Sequence, residues 1–298
     1  MKKLIFYSLL SIVWLVSCKK DYVPENIKHL ESDISQKGEK QYLDSLYSLY
    51  NDVIEDTILD KNSKMEILDH GSKFFMDYNK GYSSNLIIYS LRKYPDSDNK
   101  NRIKSLIEIY KLSGNKELAE IGESLFLEKY PEEKQQNGKK TSDNNSNKID
   151  FKVNLTDYSK KVFNSLETTG KYDLVNAKKF INAVSLYAYI NPNNENTVSY
   201  LYNAAQMSQM VGMNKRAIDI YDWILDDYPT NDKVSNALFM KGFLLDSELK
   251  NYSEAKKCYE EFLVRFPESP LVNDVKNSLK YLGMSDEEVL EKLENASH

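Results

Sequence analysis

The 298-residue chain carries 45 acidic residues against 40 basic ones, a formal net charge of −5, with three histidines and two cysteines. That balance offers no basic footprint for a nucleic-acid backbone, which needs clustered Lys and Arg, and two cysteines cannot build a disulfide framework. Ten glycines and seven prolines are too few for an all-β chain, which turns about every 8 to 12 residues.

In chain order, Lys2 and Lys3 precede an uncharged apolar run from Leu4 to Val16. The run is shorter than the ~20 residues that span a bilayer and has the layout of a secretory signal. It ends in Leu15-Val16-Ser17-Cys18, which resembles the lipobox of bacterial lipoproteins. The resemblance implies cleavage after residue 17 and lipidation of Cys18, so that the chain is membrane-anchored through acyl groups. Lys19, where Asp would favour inner-membrane retention, points by the same resemblance to the outer membrane, on its periplasmic or its surface side. With Cys18 committed to lipid, Cys258 has no intramolecular disulfide partner. An ordinary cleaved signal or a lone N-terminal membrane helix is the lesser alternative.

Residues 18–40 are polar and contain Pro24 and Gly38; they read as a tether. From Gln41 the pattern turns helical: Leu43, Leu46, Tyr47, Tyr50 and Ile54 form one apolar stripe at helical spacing. Segment 132–150 holds Ile149 as its one apolar residue and cannot offset its ordering entropy, so it reads as a flexible linker. The expected organisation is a helical block over 41–131, the linker, and a second block over 151–296.

An aromatic-proline pair recurs as Tyr94-Pro95, Tyr130-Pro131, Tyr228-Pro229 and Phe266-Pro267. Proline lacks a backbone donor and pushes its predecessor out of the helical region, so each pair marks a helix end. Ahead of these prolines, Ala217, Tyr221 and Ile224 match Ala255, Tyr259 and Phe262, and Ala119, Glu123 and Phe126 follow with one departure. A small residue followed by bulky ones at i+4 and i+7 lets a partner helix approach closely and fills the space behind it.

These residues resemble the tetratricopeptide repeat, a helix-turn-helix of about 34 residues. Val198–Asn231 matches best, the repeat from Asn236 and the stretch Lys100–Pro131 follow, Lys64–Pro95 is weaker, and 153–192 keeps two helical patterns without the spacing. The resemblance implies an all-α fold of antiparallel helix pairs stacked as a right-handed solenoid. The stretch from Leu271 to Asn295 reads as a cap, with Ser285 and Glu288 forming a capping box. In the family, a concave groove is lined by set positions of each first helix. Carried onto this chain, these positions are Ser199, Tyr202, Gln206, Gln209 and Met210, with Met240 in the next repeat. For any one of them, packing inside the superhelix is an equal alternative.

No catalytic or metal constellation stands out. His29, His70 and His298 are scattered, HExxH, CxxC, GxSxG and phosphate-loop patterns are absent from the sequence, and Cys258 reads as a small buried hydrophobe. Acidic pairs such as Asp226-Asp227 read as solvated helix faces. The expectation is a non-catalytic scaffold, without cofactor or metal, that holds protein partners in the bacterial cell envelope. The alternative is a small-ligand or nutrient-binding lipoprotein, whose sign would be an aromatic-lined pocket with converging polar groups.

Overall fold

A computed structural model describes residues 22–95, 97–133, 150–285, 287–289 and 292. Cys18, the segment read as a secretory signal, most of the 132–150 stretch and much of the helix expected after Gly283 lie outside the described residues. Among the described residues the protein is all-helical, without strands, and its helices pack in adjacent pairs. None of these helices is long and apolar enough to cross a membrane.

The chain divides into two compact units between Asn79 and Lys80. The first contains α1 (Glu25–Lys37), a 3-10 turn (Lys40–Tyr42), α2 (Leu43–Glu55) and α3 (Lys61–Tyr78). Its α1 departs from the tether expected over 18–40. Ile27, Glu31 and Ile34 recur at i, i+4 and i+7, so they share one helix face and are buried where α1 packs on α2. Gly38, at φ 72°, stops the helix in the left-handed conformation. α2 also packs on α3, placing Leu46 and Tyr50 with Ile67, Leu68 and Phe75, all fully buried. Tyr50 meets Phe75 edge-on at 5.7 Å, and its hydroxyl donates to Glu31 Oε1 at 2.7 Å.

The second unit contains α4 (Lys80–Lys93), α5 (Lys100–Leu112), α6 (Lys116–Lys129), α7 (Phe151–Thr169), α8 (Leu174–Ile190), α9 (Thr197–Met210), α10 (Asn214–Asp227), α11 (Val234–Ser247), α12 (Tyr252–Arg265) and α13 (Val272–Lys280). α5–α6, α7–α8, α9–α10 and α11–α12 are pairs. Consecutive pairs from α7 onward join through α8–α9 and α10–α11, and α13 closes on α12. The compositional boundary at 132–150 is not the packing boundary: α4 and α6 both pack on α8, so the helices on either side belong to one unit. The repeat read over Lys64–Pro95 straddles the division between the units.

The aromatic-proline pairs act as expected. Tyr130, Tyr228 and Phe266 each donate the last helical N–H, to Phe126, Ile224 and Phe262 at 2.8, 3.1 and 2.8 Å, and the proline that follows has no donor to continue the ladder. Within the pairs, Gly114 and Gly212 take positive φ of 78° and 74°. The next residue returns its N–H into the preceding helix, Asn115 to Tyr110 at 2.9 Å and Met213 to Ser208 at 2.8 Å.

Candidate functional site

α7 and α9 are the first helices of consecutive pairs, and between them runs an open groove of about 810 Å³. From α7 it receives Lys152, Leu155, Ser159, Lys160 and Phe163; from α9 it receives Tyr200, Asn203, Gln206, Met207 and Met210. The α7 contribution runs from Lys152 to Asn164, twelve steps along the helix, so the groove is about 18 Å long at about 1.5 Å of rise per residue.

One end of the groove adjoins an aromatic cluster through Tyr200. Phe151 stacks on Tyr187 at 4.5 Å, and Tyr200 stands edge-on to both, at 5.5 and 5.2 Å. At the other end Phe163 is 46 % exposed, an apolar ring presented to solvent beside the adaptable thioether of Met210. Lys152 and Lys160 give the rim positive charge, and no carboxylate lines the groove among the described residues. In a chain of net −5 this local excess of positive charge is a directional feature.

The six residues expected to line a groove separate. Gln206 and Met210 lie in it. Tyr202 turns toward the following pair, 5.8 Å from the Tyr221 ring and beneath the Lys233 ammonium at 5.9 Å. Ser199 is exposed, while Gln209 and Met240 are half-buried, and none of the three lines this groove. Successive helical residues point about 100° apart, so Tyr200 and Asn203 face α7 whereas Ser199 and Tyr202 face away.

Sequence reasoning missed the α7 wall. α9, α10, α11 and α12 are each 14 residues long, but α7 has 19 and α8 has 17. Repeat spacing therefore fails there, although the amphipathic pattern of α7 persists.

No protein-family model matches the chain, and no curated protein matches its sequence. The fold and the groove geometry therefore carry the functional argument.

Reactive groups elsewhere are tied down. Cys258 is buried, and desolvation pushes its thiol up to about 11, away from the thiolate that a nucleophile needs. His70 Nε2 lies 2.8 Å from Glu31 Oε2, the same carboxylate that receives the Tyr50 hydroxyl. No group of three or more metal-ligating side chains occurs among the described residues. The reading of Asp226-Asp227 as a solvated face is corrected for Asp227. It accepts from Arg92 Nε at 3.0 Å, because α4 reaches α10 across 135 positions of sequence.

Proposed function

We propose that this protein is a helical-repeat scaffold of the bacterial cell envelope, lipid-anchored through Cys18, that binds a protein segment in the groove between α7 and α9. The observation that carries this reading is the groove itself: an apolar trough with three aromatic rings, two methionines and a lysine rim, open along three helical turns. Met and aromatic side chains adapt to varied apolar anchors, while the Asn203 and Gln206 amides can bond a peptide backbone. The lysine rim selects acidic flanks. The fitting occupant is an amphipathic segment with apolar anchors on one face and Asp or Glu beside them.

The test is selection from a displayed peptide library on the intact mature protein, followed by affinity measurement on the selected sequences. The selected peptides should share apolar anchors with acidic flanks and lose about tenfold or more in affinity to the Phe163→Glu or Met210→Glu protein. Peptides that bind both variants as well as the parent would sink the reading.

A further inference from the structure

On the other side of α8, a second concavity is of a different kind. α4, α5, α6, α8 and α10 together line a cavity of about 520 Å³, joined to a smaller one of about 270 Å³ by the shared residues Arg92, Tyr189 and Asp226. Its floor is polar and enclosed: Ser185 and Tyr189 are 4 % and 7 % exposed. Its mouth is formed by the exposed side chains of Asn85, Asn115, Asn182, Asp219 and Asp226.

The charges in this cavity are unevenly matched. Arg92 donates to Asp227 at 3.0 Å and lies over the Trp223 ring at 4.7 Å, and Trp223 in turn stacks on Tyr189 at 4.8 Å. Asp222 is held by Lys241 at 2.6 Å. Arg216 is different. Its Nη2 donates to Ser185 Oγ at 3.0 Å, and its charge acts on the Tyr189 hydroxyl. Ser185 passes its own proton to the Ile181 carbonyl at 2.9 Å. Among the described residues no carboxylate lies within ion-pair distance of Arg216, and none of the basic groups pairs with Asp219 or Asp226.

A guanidinium cannot shed its proton to escape this position, and these two contacts leave most of its five N–H donors free. A half-buried cation that faces a cavity with no carboxylate in ion-pair contact is poised for an incoming anion, best a planar carboxylate that accepts two parallel N–H bonds. The rim supplies the opposite sign. Asp219 stands three residues beyond Arg216 on α10, about 4.5 Å along the axis, and Asp226 ten residues beyond, about 15 Å. Ile88 and Leu118 add apolar wall between them.

We infer that this cavity is a binding site for a small zwitterion, an amino acid or a dipeptide, whose carboxylate meets Arg216 and whose ammonium meets Asp219. The cavity volume suits a ligand of that size. The inference is independent of the groove between α7 and α9, and either can fail without the other.

The experiment measures melting temperature and affinity of the intact mature protein with a panel of free amino acids and dipeptides, each compared with its N-acetylated and its C-amidated form. A bound ligand raises the melting temperature through mass action. At least one zwitterion should do so, and blocking either end should weaken it by about tenfold or more. Arg216→Gln should abolish the preference for the free carboxylate over the amide, Arg216→Lys should keep part of it, and Asp219→Asn should weaken the preference for the free amine.

No shift across the panel, or equal binding of blocked and free forms, overturns the inference. So does unchanged binding by Arg216→Gln that retains native far-UV circular dichroism. Should that variant fail to fold, the comparison of blocked with free ligands on the parent protein decides alone. Binding of inorganic phosphate as tight as that of any zwitterion would mark a simple anion site and also overturn it.

Discussion

Gly242 on α11 faces the ring of Tyr259 on α12 so closely that a Cβ built on the glycine would lie 2.8 Å from ring carbon Cε1 and 3.2 Å from the Cβ of Cys258. Tyr259 is fully buried, so its ring cannot move without disturbing the core around it. The first unit repeats the arrangement, since a Cβ on Gly71 of α3 would fall within 3 Å of the Tyr50 ring on α2. In both places a glycine inside a helix is the condition for close approach of the facing helix.

The expected consequence reverses the ordinary helix preference. Ala in place of an exposed helical Gly stabilises by about 1 kcal/mol. Gly242→Ala should instead destabilise by about 1–3 kcal/mol, because overpacking forces the Tyr259 ring or the α11–α12 distance to shift. Urea denaturation of parent and variant checks this, and a raised midpoint would show that the tyrosine ring imposes no constraint.

A second expectation concerns acid. Glu133 is buried, and its two carboxylate oxygens accept from Lys100 and Lys104, each at 2.6 Å. The hydrogen bond from Lys100, then that from Lys104, holds the carboxyl below its ordinary value of 4.5. A lowered folded-state value means that the unfolded chain takes up its proton first as pH falls. The clamp thus contributes fully above about pH 4.5 and progressively less as pH drops through the folded value. Glu133→Gln should be less stable than the parent at pH 7, and the difference should shrink below pH 4.5. Parallel denaturation series from pH 7 to pH 3 measure it; a constant difference across that range would remove Glu133 as the cause.

The parts of this fold that were legible in the sequence are those decided locally. Tyr130, Tyr228 and Phe266 each precede a proline, and the loss of one donor fixes a helix end whatever packs around it. α1 was obscured because two isoleucines among charged residues carry its buried face, and α2 supplies the surface that makes them count. The approach of α4 to α10 and the packing of α6 on α8 join residues such as Arg92 and Asp227, or Lys129 and the Ile190 carbonyl, through contacts that no local pattern announces. The groove was half legible for the same reason. Repeat position placed Gln206 and Met210 in it, while Phe163 and Lys160 sit on a helix whose length breaks the repeat. Arg216 was invisible as a binding group because its isolation from carboxylates is a property of three packed helices.

The turns inside the helix pairs lead to the last expectation. Gly114 and Gly212 stand two positions before the helices that follow them, both with positive φ. At the corresponding place between α11 and α12 stands Lys250, the one non-glycine residue with positive φ among the described residues, at 54°. Asn251 next to it donates to the Leu245 carbonyl at 2.7 Å, as Asn115 and Met213 donate in their own turns. This hydrogen bond holds the backbone where an L side chain crowds the carbonyl, at a cost of about 1–2 kcal/mol. Glycine would relieve that crowding but lose about 0.5–1 kcal/mol to its greater freedom in the unfolded chain. Lys250→Gly should therefore stabilise the protein by about 0.5–1 kcal/mol, a rise of roughly 1–4 °C in melting temperature for a unit of this size. Lys250→Ala keeps the side-chain carbon responsible for the crowding and should show no such gain. Calorimetry on the two variants separates relief of backbone strain from mere loss of a surface charge: equal shifts in both would assign the effect to the charge.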